Sequence, residues 1–188
     1  MELKKDELER LRELVIEKSF RYGYFTLSSG QESLYYFDGR LTTLSPEGAQ
    51  LVGRQMFALV KDSGIDAIGG PTLGADPIVA AVALVSYQEG KPVPAFIVRK
   101  DPKKHGAQRH IEGNFPAGGT VAIVDDVITS GGSILRAIEV VEAAGARVGK
   151  VIVLVDRNQG GADELRKKGY EFVALLNADD KGNVSIGC

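Results

Sequence analysis

The apolar positions of residues 3–20 are Leu3, Leu8, Leu11, Leu14, Val15 and Phe20. They recur at helical spacing with acids and bases between them, which predicts an amphipathic helix with one docking face. Residues 21–40 break that period. Aromatic residues punctuated by Gly and Ser predict a small hairpin of two short strands there. Ser45-Pro46-Glu47 then reads as a helix start, with a capping hydroxyl followed by Pro at the first helical position. That helix is expected to run to about residue 62.

Beyond it, short apolar runs and helical stretches take turns. Strands are expected at 65–70, 93–99, 120–127, 147–155 and 170–177, and helices at 76–88, 133–144 and 162–168. A polar loop fills 100–116, and the pattern assigns no element to the tail 181–188. Strand–helix alternation of this kind predicts an α/β fold, a parallel sheet flanked by helices on both faces. No internal repeat, low-complexity tract or linker interrupts it. The chain therefore reads as a single domain over 1–188. An N-terminal helix and hairpin over about 1–40 form a small hood subdomain on the sheet edge, and the α/β core covers about 41–180.

Composition narrows the function classes. With 188 residues, 44% of them hydrophobic and 26% charged, the chain has the make-up of an ordinary globular protein. A formal net charge of -2 argues against general nucleic-acid binding. The single cysteine, Cys188, leaves no disulfide within the chain and no thiolate metal cluster, which points to a reducing, cytoplasmic setting. Residues 1–10 are charged and lack the apolar core of a signal peptide. No apolar stretch approaches the ~20 residues of a membrane span, so no membrane partner is expected.

The densest candidate chemistry lies in residues 121–133, Val-Ala-Ile-Val-Asp-Asp-Val-Ile-Thr-Ser-Gly-Gly-Ser. An apolar strand delivers Asp125 and Asp126 to its carboxyl end, and a small-residue turn opens the next helix. Open α/β sheets bind ligands at that edge. Gly131 and Gly132 let the backbone N–H groups approach an anion, while Thr129, Ser130 and Ser133 add hydroxyls. Acids for hydroxyls beside a cradle for phosphate suit a sugar phosphate. Neighbouring strand residues point to opposite faces, so the two acids are expected to do different jobs. One would accept from sugar hydroxyls and the other act through a water or metal. The spacing of a nucleotide P-loop is missing, as is the dinucleotide G-x-G-x-x-G.

Other strand ends carry further candidates. Residues 99–110 hold five of the 23 basic residues and both histidines, which fits a lid over an anionic substrate. His105 and His110 lack the helical spacing of a zinc site. Residues 69–77, Gly-Gly-Pro-Thr-Leu-Gly-Ala-Asp-Pro, also join a strand to a helix and can offer N–H groups to a second phosphate, or form a plain turn. Arg157, after the strand at 147–155, can grip a carboxylate with two parallel hydrogen bonds.

The run from Asp125 to Ser133 resembles the 5-phosphoribosyl-1-diphosphate (PRPP) motif of the type I phosphoribosyltransferases. On its own it specifies only that superfamily. Three further stretches resemble the orotate branch of the family. These are residues 25–38 of the hairpin, the loop Arg99-Lys100-Asp101-Pro102-Lys103-Lys104-His105-Gly106, and residues 155–161 around Arg157. The resemblance implies the type I phosphoribosyltransferase fold and transfer of the phosphoribosyl group of PRPP to orotate, in pyrimidine (UMP) biosynthesis. It implies that PRPP is bound by Arg99, Lys100, Lys103, His105, Asp125, Asp126, Val127, Ile128, Thr129, Ser130, Gly131, Gly132 and Ser133. Thr129 and Arg157 would hold orotate, with Arg157 on its carboxylate. Lys103, His105, Asp125 and Asp126 would carry the catalysis. Mg²⁺ would sit on the pyrophosphate and ribose hydroxyls rather than on a dedicated set of protein ligands. The chain would form a homodimer, with the lid loop reaching into the neighbouring subunit. Some members carry lysines where Ser28 and Leu73 stand, so hydroxyls and backbone N–H groups would have to serve at those points. Two rivals remain at this stage. One is a purine phosphoribosyltransferase of the same fold, which has no need of Arg157 facing a carboxylate. The other is a PRPP-sensing regulator, which would be expected to carry a basic nucleic-acid-binding element.

Overall fold

The computed structural model describes residues 3–26, 32–100 and 110–188. Helix α1 (Lys5–Ser19) buries Leu8, Leu11, Leu14 and Val15 and leads directly into the antiparallel pair β1 (Phe20–Thr26) and β2 (Glu32–Phe37). A short helix α2 (Arg40–Thr43) follows, and then α3 (Pro46–Val60). The Ser45 hydroxyl accepts from the Gly48 N–H at 3.2 Å, so α3 starts where the capping pattern predicts. The remaining elements are β3 (Ala67–Pro71), α4 (Ala75–Gln88), β4 (Ala95–Val98), β5 (Ile111–Gly113), β6 (Thr120–Ile128), α5 (Gly132–Ala143), β7 (Arg147–Asp156), α6 (Gly161–Lys167), β8 (Phe172–Ala178) and β9 (Val184–Ile186).

Strands β3 to β9 form one seven-stranded sheet in the order β5-β4-β3-β6-β7-β8-β9. The inner strands β4, β3, β6, β7 and β8 run parallel, and only the edge strands β5 and β9 are antiparallel. Strand β6, which carries the acids, is in the middle. Apolar side chains of β6 and β7 alternate between two buried clusters. Val124 and Leu154 pack with Leu11, Val52, Met56 and Val79 from α1, α3 and α4. Ile123 and Val153 pack with Ile134, Ile138 and Val141 from α5 and Leu165 from α6. Burial on both faces is why these strands read as continuous apolar runs. Phe20 and Tyr35 of the N-terminal pair belong to the first cluster, so the hairpin shares the core.

The edges depart from the sequence pattern. Strand β5 lies within the expected polar loop 100–116, and β9 gives the unassigned tail a place beside β8. Both are three residues long and too short to show a period. Helix α2 is a four-residue turn that no periodicity could reveal. Among the described residues no helix is long and apolar enough to cross a membrane.

Leu154 is fully buried in the central parallel strands. Leu154→Ala is expected to cost about 2–5 kcal/mol of stability through lost contacts and the cavity left behind. Equilibrium urea unfolding checks it.

Candidate active site

The carboxyl ends of β4, β3, β6 and β7 are neighbours in the sheet, so the segments that follow them lie along one sheet edge, where open α/β sheets bind ligands. They bring Arg99 and Lys100, the turn before α4, Asp125 to Ser133, and Arg157. Lys103 and His105 lie outside the described residues, as does Ser28.

Asp125 and Asp126 are 7% and 8% exposed. Strand alternation predicts opposite faces for them, but their carboxylates come together. A Cβ at Gly74 would clash with Asp125 Oδ1 and Asp126 Oδ1 alike, and one at Gly39 would lie 2.8 Å from Asp126 Oδ2. The acids are thus closed in by two backbone segments that approach because they carry no side chain. Asp125 Oδ1 also accepts the Asp126 N–H at 2.9 Å. Burial pushes the Asp125 pKa well up, and the neighbouring Asp126 charge adds to the rise. Burial raises Asp126 as well, against the pull of its contact with Asp125 and of the Arg40 guanidinium. Asp76, on the first turn of α4, has a buried Oδ1 with no hydrogen-bond partner among the described residues, and its pKa is also raised by burial. Substrate hydroxyls or a cation entering this acidic pocket would favour the charged forms.

Arg40 is the nearest compensation. Its Nε and Nη2 donate to Asp38 Oδ1 and Oδ2 at 2.8 and 3.0 Å, a bidentate pair that holds the Asp38 carboxyl below its usual range. The same guanidinium acts on Asp126 through space. Arg40 went unnoticed in the sequence because it lies in the short turn α2, with no strand or motif to mark it.

The cradle forms as the glycines predict. Gly131 sits at φ 82°, a left-handed conformation that turns the chain from β6 into α5. Asp125, Val127 to Ile134 and Arg136 line a concavity of about 200 Å³ around the turn. Ile128 is only 1% exposed and belongs to the core, so it can offer a ligand little beyond backbone. Thr129 and Ser133 both line the cradle, and the Thr129 carbonyl accepts from Gly161 N–H at 2.9 Å.

A second crevice of about 240 Å³ adjoins it, lined by Thr72, Arg99, Lys100, His110, Ser133 and Arg136 among others. Ser133 and Arg136 border both hollows. Arg99 pairs with Glu112 at 3.4 Å. Leu73 is 64% exposed on the turn before α4, so no side-chain cation stands there.

Arg157 begins the segment after β7, with its N–H donating to the Ile128 carbonyl at 3.1 Å. It is 8% exposed. Its Nε donates to the Tyr35 hydroxyl at 2.9 Å, and its Nη2 reaches Ser33 Oγ at 3.4 Å. The guanidinium carbon is 4.5 Å from the Tyr35 ring centre. Asp156 and Asn158 brace the segment. The Asn158 N–H donates to Asp156 Oδ1 at 2.8 Å, and the Asn158 amide donates to the Ala178 carbonyl at 3.1 Å. Ser33 and Tyr35 are 124 and 122 residues away from Arg157, a contact that no local spacing could reveal.

Comparison with known proteins agrees with this geometry. The family model described as the phosphoribosyl transferase domain matches residues 45–184. The orotate phosphoribosyltransferase of Nostoc sp. is 45% identical over 172 residues, covering 91% of this chain and 83% of that protein. That of Aquifex aeolicus is 41% identical over 177 residues, covering 93% and 97%. The crystal structure of Mycobacterium tuberculosis orotate phosphoribosyltransferase in complex with PRPP superposes with a TM-score of 0.77 at 36% identity, covering 91% of this chain and 96% of that one. With a strand-end acid pair, a glycine-rich cradle beside it and similarity of this extent, the chain belongs to the phosphoribosyl transferase family, among the orotate phosphoribosyltransferases.

Proposed function

We propose that this chain transfers the 5-phosphoribosyl group of PRPP to orotate, giving orotidine 5'-phosphate and pyrophosphate, in pyrimidine (UMP) biosynthesis. The observation that carries the reading is the sharing of one sheet edge by the buried acid pair, the cradle and a buried arginine. The cradle takes the 5-phosphate on backbone N–H groups at the start of α5. The acids accept from the ribose hydroxyls and favour positive charge developing at C1'. Arg157 takes the orotate carboxylate. Arg99 and Lys100 supply charge for the departing pyrophosphate, with Lys103 and His105 in the same role from the loop. A purine base would give Arg157 no anion to meet.

Mg²⁺ fits this scheme as a guest of the substrate. Among the described residues no group of three or more His, Cys, Asp or Glu could hold a metal. The two carboxylates are hard oxygen donors, and Mg²⁺ commonly keeps most of its ligands from substrate phosphates and water. When bound, it would neutralise charge on the leaving pyrophosphate.

A homodimer in the cytoplasm belongs to the same reading. The lone Cys188 supports a reducing compartment. Along α4, Pro77, Ala80, Leu84 and Tyr87 follow the spacing of a helix-pairing seam, continued by Leu73 before the helix. Leu73, Leu84 and Tyr87 are 64%, 60% and 74% exposed, and Leu41 and Leu44 line the same hollow as Leu73 and Pro77. A second copy of this chain fits such a seam, since one face would meet its own equivalent across a two-fold axis. The loop expected to be shared between subunits has its residues 101–109 outside the described set.

The direct test is loss of orotate absorbance in the presence of PRPP and Mg²⁺, beside adenine, hypoxanthine, guanine, xanthine and uracil. Orotate turnover that needs both partners is expected; turnover of a purine alone would replace the reading. Sedimentation is expected to give a dimer that Leu84→Glu shifts toward monomer, and a monomeric wild type would remove the seam's role. The buried acids make a third prediction. Because the folded state raises the Asp125 pKa, holding it ionised subtracts stability above that raised value. Asp125→Asn is therefore expected to raise Tm near neutral pH. The gain should shrink as the pH falls through the raised value and vanish below the ordinary aspartate range. Turnover should drop about a hundredfold. Thermal scans against pH and steady-state kinetics check the two halves.

A further inference from the structure

We propose that Tyr35 is a positioning residue for substrate choice, fixing the Arg157 guanidinium so that only its outer edge is presented to a planar ring carboxylate. The inference rests on the orotate reading of the site and adds the device that aims the arginine.

Arg157 is a buried cation. The ion pairs among the described residues do not include it. A buried charge without a counter-charge is costly, so the site favours an anionic occupant. Which anion fits depends on the donors left over. A guanidinium has five N–H groups in a rigid fork. The Nε–H is already spent on the Tyr35 hydroxyl at 2.9 Å, and Nη2 leans on Ser33 Oγ at 3.4 Å. The edge that pairs Nη1 with Nη2 remains, and its two parallel N–H groups match the two oxygens of a carboxylate.

Tyr35 can aim the fork because it is itself immobile. It is 1% exposed, with its ring 5.1 Å from that of Phe20 and its backbone paired with Tyr22 across the hairpin. Ser33 Oγ donates to the Tyr35 carbonyl at 2.7 Å, tying the two contacts into one unit. Arginine has several rotatable bonds, and fixing them before substrate arrives lowers the ordering cost of binding. A pyrimidine without the carboxylate would leave the aimed fork unpaired, which is the kind of mismatch that gives strong discrimination.

The test is steady-state kinetics of Tyr35→Phe, varying orotate and PRPP separately, with uracil as the base that lacks the carboxylate. The variant keeps the ring and removes only the hydroxyl. The expected result is a rise of about tenfold in KM for orotate. KM for PRPP and kcat should stay at wild-type values, and the preference for orotate over uracil should fall. A loss of folded protein would instead lower apparent kcat and leave both KM values unchanged. Ser33→Ala, which leaves the aromatic core intact, should raise KM for orotate by a smaller factor. Wild-type KM for orotate in both variants would overturn the proposal. A wild-type protein inert toward orotate would instead overturn the reading on which it rests, and the two failures are told apart by the wild-type assay alone.

Discussion

Two adjacent carboxylates at the end of the central strand constrain everything around them. Asp125 and Asp126 are almost fully enclosed, and burial pushes both toward their protonated forms. Their surroundings neither remove that penalty nor let it grow without limit. Gly39 and Gly74 approach the acids with bare backbone, and a Cβ at either would collide with a carboxylate. Arg40 is near enough to act on Asp126, yet both of its strong hydrogen bonds go to Asp38. Among the described residues the acids are therefore left without a tight counter-ion. A ligand that brings hydroxyl donors and positive charge finds a site already shaped for it, and the cost of organising that site was met during folding.

The architecture was legible because its period was strong. The apolar runs at 120–127 and 147–155 and the helical pattern at 133–144 correspond to β6, β7 and α5, the elements that set the site. Asp125, Asp126 and the cradle could be found because they are contiguous and sit at a strand–helix junction. Sequence alternation misjudged the acids, because it fixes where Cβ points and not where a carboxylate ends after its own rotation. Arg157 was visible as a strand-end arginine, but its partners were not. Tyr35 and Ser33 reach it only because the hairpin folds back into the same core as the sheet. The tail is a similar case. The Tyr22 hydroxyl donates to the Gly182 carbonyl at 3.1 Å, so the turn before β9 braces the hairpin that carries Tyr35. Such contacts are set by tertiary packing and leave no periodic trace in the chain.

The sheet edge holds a buried acid pair at the end of β6 and a buried arginine at the end of β7, the adjacent strand. A direct pair between them would have to repay the desolvation of both groups, which a buried ion pair often fails to do. They do not pair here, because Arg157 is drawn the other way. Its Nε is bonded to Tyr35 and its guanidinium packs beside the Tyr35 ring, while the charge that acts on Asp126 is that of Arg40. The hairpin thus keeps the two centres of charge apart. The proposed reaction calls on both: hydroxyls and developing positive charge at the acids, a carboxylate at the arginine. A closed Asp–Arg pair would leave neither group open to a ligand. The N-terminal hairpin, which shares the buried core of the sheet, is thus what holds the Arg157 guanidinium.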